Sequence, residues 1–132
     1  MAFVELHNHE QLDEFLAASN GNPAILFKHS DSCGISARAY REMARLTQQV
    51  GIITVQNARS LSDEIERRFS LPHETPQALI IRNNELLWEA SHGRVRVNAI
   101  EEALGSVSSE KLRGNRTPNR EIAGGQLSRR EL

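Results

Sequence analysis

Apolar positions along this chain alternate between two kinds of pattern: short unbroken runs, and stripes that repeat every three or four residues. Phe3, Val4 and Leu6 open the chain as a strand. Asn8, with Gln11 three residues later, then starts a helix carrying Leu12, Phe15 and Leu16 at helical spacing. Gly21-Asn22-Pro23 is a turn, after which Ala24-Ile25-Leu26-Phe27 is the continuous apolar run of a strand buried on both faces. The next stripe, Ile35, Ala39, Met43, Leu46 and Val50, predicts a helix that begins at Gly34 and ends at Gly51, with Arg38, Arg41 and Arg45 on its solvated side. Ile52-Ile53-Thr54-Val55 follows as a third strand. Its connection to the second through a helix implies a parallel, right-handed crossover.

Ser60 with Asp63 predicts a further capped helix bearing Leu61, Ile65 and Phe69, which stops before Leu71-Pro72. Beyond Thr75-Pro76, the segments Ala78-Leu79-Ile80-Ile81 and Leu86-Leu87-Trp88, joined by Asn83-Asn84, read as a β-hairpin with Trp88 packed on it. Val97, Ile100 and Leu104 mark a closing helix. The sum is βαβαββα, an α/β fold with a central mixed sheet flanked by helices. Sites of open α/β sheets lie at the carboxyl ends of the strands, where this pattern puts residues 29–34.

At 132 residues and 39% hydrophobic, the chain suits one compact domain. No run approaches the ~20 apolar residues of a membrane span. The first ten residues lack the basic-then-apolar order of a secretory signal, so a cytoplasmic location without a membrane partner is expected. The net charge of −1 is unevenly spread: from Ser108 onward six basic residues face three acidic ones. That stretch also holds Gly114, Pro118 and Gly124-Gly125, and it reads as a polar, disordered tail over 108–132 behind a domain at 1–107. Its basic residues are scattered and have no aromatic companions, so no specific nucleic-acid partner is expected. A single cysteine excludes an internal disulfide, and five histidines without ligand spacing predict no metal site.

The candidate chemistry rests on that cysteine, Cys33, between the second strand and the helix that starts at Gly34. Backbone N–H groups in a helix's first turn have no intrahelical partners and carry partial positive charge, which favours thiolate over thiol. Ser36 lies one turn along and can donate a hydrogen bond to the sulfur. Lys28 and His29 stand upstream, and strand alternation sends them to opposite faces. A buried structural cysteine is the alternative, against which stand the polar neighbours Asp31, Ser32 and Gly34.

Three separated motifs, 27-FKHSDSCGIS-36, 73-HETPQ-77 and 88-WEASH-92, resemble the monothiol bacilliredoxin-like (YtxJ-like) family of the thioredoxin fold over about residues 3 to 105. The resemblance implies a bacterial, bacillithiol-dependent thiol–disulfide oxidoreductase. Cys33 would be its nucleophile, and Ser36 would stabilise the thiolate without closing a ring. His29, Ser32, Gly34, Thr75 and Pro76 would form the substrate site, with a cis Pro76 that turns the Thr75 backbone towards an extended substrate. His73 and His92 could tune the thiol or touch the substrate. Bacillithiol or a similar low-molecular-weight thiol would be the co-substrate, with no tightly bound cofactor. S-thiolated client proteins would be the partners of a monomer. Gly34 departs from the family's usual proline and makes Cys33-Gly34-Ile35-Ser36 similar to monothiol glutaredoxins, so a protein that uses glutathione or carries an iron–sulfur cluster is the first alternative. A peptide-binding adaptor without redox chemistry is the second.

Overall fold

A computed structural model describes residues 3–114. Strand β1 (Phe3–Glu5) leads to helix α1 (His9–Ala18), strand β2 (Ala24–His29), helix α2 (Gly34–Met43), strand β3 (Val50–Thr54) and helix α3 (Arg59–Phe69). Strands β4 (Gln77–Arg82) and β5 (Glu85–Ser91) then form a hairpin, and a short 3-10 turn at His92–Arg94 precedes helix α4 (Val97–Gly114). The order is therefore βαβαβαββα, one helix longer than the βαβαββα sum, because α3 is a full element between β3 and β4.

The five strands lie in the order β1-β3-β2-β4-β5. Strands β1, β3 and β2 are mutually parallel, whereas β4 runs antiparallel to both β2 and β5. Alternation along β2 divides the core. Ile25 and Phe27 pack with Ala39 and Met43 of α2 and Val97 and Ile100 of α4, while Leu26 packs with Leu12 of α1 and Leu61 and Ile65 of α3. By the same alternation His29 points to the α2 face and Lys28 to the α3 face.

Local signals set the start of α1 and the turn of the hairpin. The Asn8 side chain accepts the Gln11 N–H at 2.8 Å, and Gln11 reaches back to the His7 N–H at 2.7 Å, which caps α1. Asn83 and Asn84 both adopt positive φ, 53° and 62°, as a two-residue hairpin turn requires.

Other boundaries differ. Helix α2 ends at Met43, and tight turns joining Arg45 to Glu42 and Leu46 to Met43 carry the chain onward, so Leu46 still reaches the core. Gly51 is an interior residue of β3. A Cβ there would sit 2.9 Å from Leu6 Cδ1 and 2.9 Å from Phe15 Cε2, so the glycine makes room for a crossing pair of side chains. Ile35 faces solvent rather than the core, which takes Ser36, Ala39 and Met43 instead. Ser60 lies inside α3, whose N-cap is Ala58. Helix α4 continues through Gly114, seven residues into the stretch expected to be a disordered tail. The remainder, 115–132, lies outside the described residues. Among the described residues no helix is long and apolar enough to cross a membrane.

Candidate active site

Lys28 of β2 stands opposite Gln77 of β4, so the chain leaving β2 and the chain entering β4 emerge at the same edge of the sheet. Cys33 follows the first exit, and Thr75-Pro76 precedes the second entry. Cys33 is the N-cap of α2, with extended backbone (φ −118°, ψ 125°), and its carbonyl accepts the Ala37 N–H at 3.0 Å. Its side chain is half-buried and makes no capping hydrogen bond. Gly34 is exposed at the first helical position, and a Cβ there would meet nothing within 4 Å. Beside them Ile35 is 52% exposed, an apolar surface next to the thiol.

The expected hydrogen bond from Ser36 to the Cys33 sulfur is not formed. Ser36 is fully buried; its Oγ accepts the Ser30 N–H at 2.9 Å and lies 2.8 Å from His29 Nδ1. The other ring nitrogen, His29 Nε2, faces Asp31 Oδ1 at 3.5 Å. A carboxylate only accepts, so Asp31 favours the proton on Nε2, which leaves Nδ1 as the acceptor for the Ser36 hydroxyl proton. That proton is thus committed away from the sulfur. Burial lowers the His29 pKa below the usual histidine value, against the opposing pull of Asp31 and Glu5, and keeps the ring neutral as this arrangement needs. Asp31, His29 and Ser36 thereby fall in the order of a hydrolytic triad, but a serine without solvent access whose oxygen already accepts a backbone N–H is no nucleophile.

Ser32 turns to the loop after β3. Gln56 Nε2 donates to Ser30 Oγ at 2.9 Å and to Ser32 Oγ at 3.2 Å, and Gln56 Oε1 accepts the Asp31 N–H at 3.1 Å. One side chain thus clamps three consecutive residues ahead of Cys33. Nothing in the local sequence marks Gln56 for this, because the partners are more than twenty residues apart.

The second half of the site is the loop 72–76. The Thr75–Pro76 peptide is cis. The Pro76 carbonyl accepts the His92 N–H at 2.9 Å, Gln77 Nε2 donates to the Pro72 carbonyl at 3.3 Å, and Lys28 Nζ lies 2.9 Å from His73 Nδ1. Among the described residues no group hydrogen-bonds the Thr75 backbone. Lys28 is fully buried, and burial lowers its pKa despite the nearby carboxylates of Glu66, Asp63 and Glu74. An ammonium can only donate, so His73 is neutral with a bare Nδ1. Burial and then the Lys28 charge hold its pKa below the usual value. His73 is therefore an anchor of the loop, and His92 Nε2 sits 3.1 Å from Glu74 Oε1 on the same loop. Of the residues singled out from sequence, Cys33, Gly34, Thr75 and Pro76 lie on the two segments that emerge at the same strand-end edge, while His29, Ser32 and Ser36 belong to the hydrogen-bond network of the residues just before the thiol.

A family model for monothiol bacilliredoxin BrxC matches residues 4–100, which takes in the whole arrangement. The chain belongs to that family. This bacilliredoxin-family chain is also similar to a solved structure described as a proposed oxidoreductase with a thioredoxin fold, at 28% identity and a TM-score of 0.70 over 76% of this chain and 92% of that one. Two thioredoxins share the fold at lower identity. Chloroplastic thioredoxin z is 18% identical, with a TM-score of 0.66 over 83% of this chain and 96% of its own. The Trypanosoma brucei brucei thioredoxin is 14% identical, with a TM-score of 0.65 over 81% and 91%. Fold and family together make the bacilliredoxin-family chain a thiol-redox protein with a thioredoxin-like fold.

Proposed function

We propose that this protein removes a low-molecular-weight thiol, bacillithiol, from S-thiolated client proteins in the cytoplasm, with Cys33 as the nucleophile. The observation that carries the reading is the lone thiol at the head of α2, beside exposed Ile35 and at the same sheet edge as a Thr75 backbone with no partner among the described residues. An extended client segment would pair with Thr75 N–H and C=O, as in strand addition, and rest on Ile35. The Cys33 thiolate attacks the small thiol's sulfur in the mixed disulfide. A Cys33–small-thiol disulfide forms, the client–small-thiol bond breaks, and the client sulfur leaves as thiolate and takes a proton from water. Serine at position 36 offers no second thiol, so a second bacillithiol must attack that disulfide and leave as oxidised bacillithiol, restoring the Cys33 thiolate.

The test is turnover on a client carrying a bacillithiol mixed disulfide, with mass spectrometry of the protein. The expected result is a Cys33 adduct of one bacillithiol that disappears when free bacillithiol is added, and no turnover by Cys33→Ser. Activity retained by Cys33→Ser overturns the mechanism. Client binding without transfer, equal in both proteins, is the adaptor's outcome.

A further inference from the structure

Against the α2 side of the thiol loop lies a cavity of about 520 Å³, on the far side of His29 from the loop 72–76. Its position relative to Cys33 is fixed by the helix. Ala37, Tyr40 and Arg41 line it as one stripe of α2, and Ala37 is the residue whose N–H the Cys33 carbonyl accepts. The cavity thus begins about 6 Å along the helix axis from Cys33, a span that a cysteinyl arm and one amide bond cover. Its volume is within the range that holds a whole small molecule.

The lining is chemically mixed. Tyr40 and Phe3, ring centroids 4.7 Å apart, give it an aromatic wall. Glu5 and Asp31 supply carboxylates, and Arg41 and Asn57 supply donors. Among the described residues neither the Arg41 guanidinium nor the Asn57 carboxamide has a hydrogen-bond or ion-pair partner, whereas Arg45, in the turn just after α2, is already paired with Glu42. A ligand that satisfies these walls carries an anion for Arg41, hydroxyl or ammonium donors for Glu5 and Asp31, and a C–H face for Tyr40.

We propose that this cavity binds the polar, non-sulfur body of the low-molecular-weight thiol, and so decides which sulfur of the mixed disulfide Cys33 attacks. The inference rests on the thiol-transfer reading above. A mixed disulfide offers two sulfurs. Attack on the client's sulfur would bond Cys33 to the client and expel the small thiol. Attack on the small thiol's sulfur bonds Cys33 to the small thiol and expels the client as thiolate. A small-thiol body seated one helical turn from Cys33 presents its own sulfur to the nucleophile, while the client chain lies on the opposite side, along Thr75. The two partners of one reaction thus occupy two flanks of the thiol.

The experiment measures the rate of mixed-disulfide formation on Cys33 with oxidised bacillithiol and, separately, with oxidised glutathione. Iodoacetamide, small and uncharged, reports the thiol itself. Three variants join the wild type: Arg41→Ala, which removes the cation; Ala37→Phe, which fills the cavity from an exposed helical position; and Arg45→Ala, outside the lining. Arg41→Ala and Ala37→Phe should slow at least one disulfide about tenfold, the loss expected for one hydrogen bond to a charged group, while iodoacetamide stays within about twofold and Arg45→Ala matches wild type. Slowing with bacillithiol alone identifies a sugar-bearing thiol as the ligand, and slowing with glutathione alone a peptide thiol; either supports the subsite. Wild-type rates in both lining variants, or an equal slowing of iodoacetamide, overturn it and leave the thiol-transfer reading standing. A wild-type protein inert to both disulfides removes that reading and the subsite with it.

Discussion

Replacing Ser36 by alanine separates two accounts of this residue. Its hydroxyl is fully buried and has two partners, the Ser30 N–H at 2.9 Å and His29 Nδ1 at 2.8 Å. Alanine leaves both without a protein partner. An unsatisfied buried polar group costs about 1–3 kcal/mol, so two cost about 2–6, and alanine's better helix propensity returns only a few tenths, for a net loss of about 2–5 kcal/mol. With a urea slope of about 1.5 kcal/mol per M for a domain of this size, the unfolding midpoint should fall by about 1–3 M. Trp88, partly buried against the α2/α4 core, is the fluorescent reporter. Cys33 alkylation, followed in parallel under native conditions, should change by less than about threefold, because the serine's proton is committed to His29. The opposite pattern refutes the reasoning: a midpoint within about 0.3 M of wild type together with a large change in alkylation rate would mean that the hydroxyl serves the sulfur.

Two other perturbations follow from the same structure. His29 and His73 both have pKa values lowered by burial, so between the usual histidine value and their folded values the unfolded chain binds more protons than the folded one, and stability should fall as pH drops from about 7.5 to about 5.5. Thermal midpoints across that range check it; a flat or rising profile on acidification contradicts it, and a His29→Asn/His73→Asn double variant should flatten the slope. Gly51→Ala places a Cβ 2.9 Å from Leu6 and Phe15 and 3.1 Å from Leu26, and should destabilise by about 1–3 kcal/mol in urea titration; an unchanged midpoint would show that the three side chains shift at no cost.

Family membership makes this chain a thiol-redox protein. The protein invests its polar contacts in fixing two loops. Gln56 and the His29–Ser36 pair hold the loop ahead of Cys33, and Lys28, Gln77 and His92 hold the loop that carries Thr75 and Pro76. Neither set of contacts involves the sulfur, which is left without a capping partner.

The parts legible in the sequence are those written by neighbours. Asn8 and Gln11 cap α1 because the two residues lie within one helical turn, and Asn83-Asn84 close the hairpin because both tolerate positive φ. The apolar run at 24–27 reads as an inner strand since burial on both faces demands it. Cys33 at the head of a helix follows from that strand and the stripe after it. The apolar stripe runs on through Leu46 and Val50 past the end of α2, because tight turns and a strand also bury residues at those positions.

The sequence by itself thus determined the order of most elements and the thiol's place at a helix start, because each is specified by dihedral preference and periodicity within a few residues. Only the tertiary structure decided where the polar groups go. Strand alternation fixes that Lys28 and His29 part company, but not that one meets His73 and the other Ser36. The Ser36 hydroxyl, the Gln56 clamp and the Arg41 cavity each depend on which distant chain segment passes nearby, and that is set when the sheet and its helices pack, burying donors and acceptors that must then find partners across the fold.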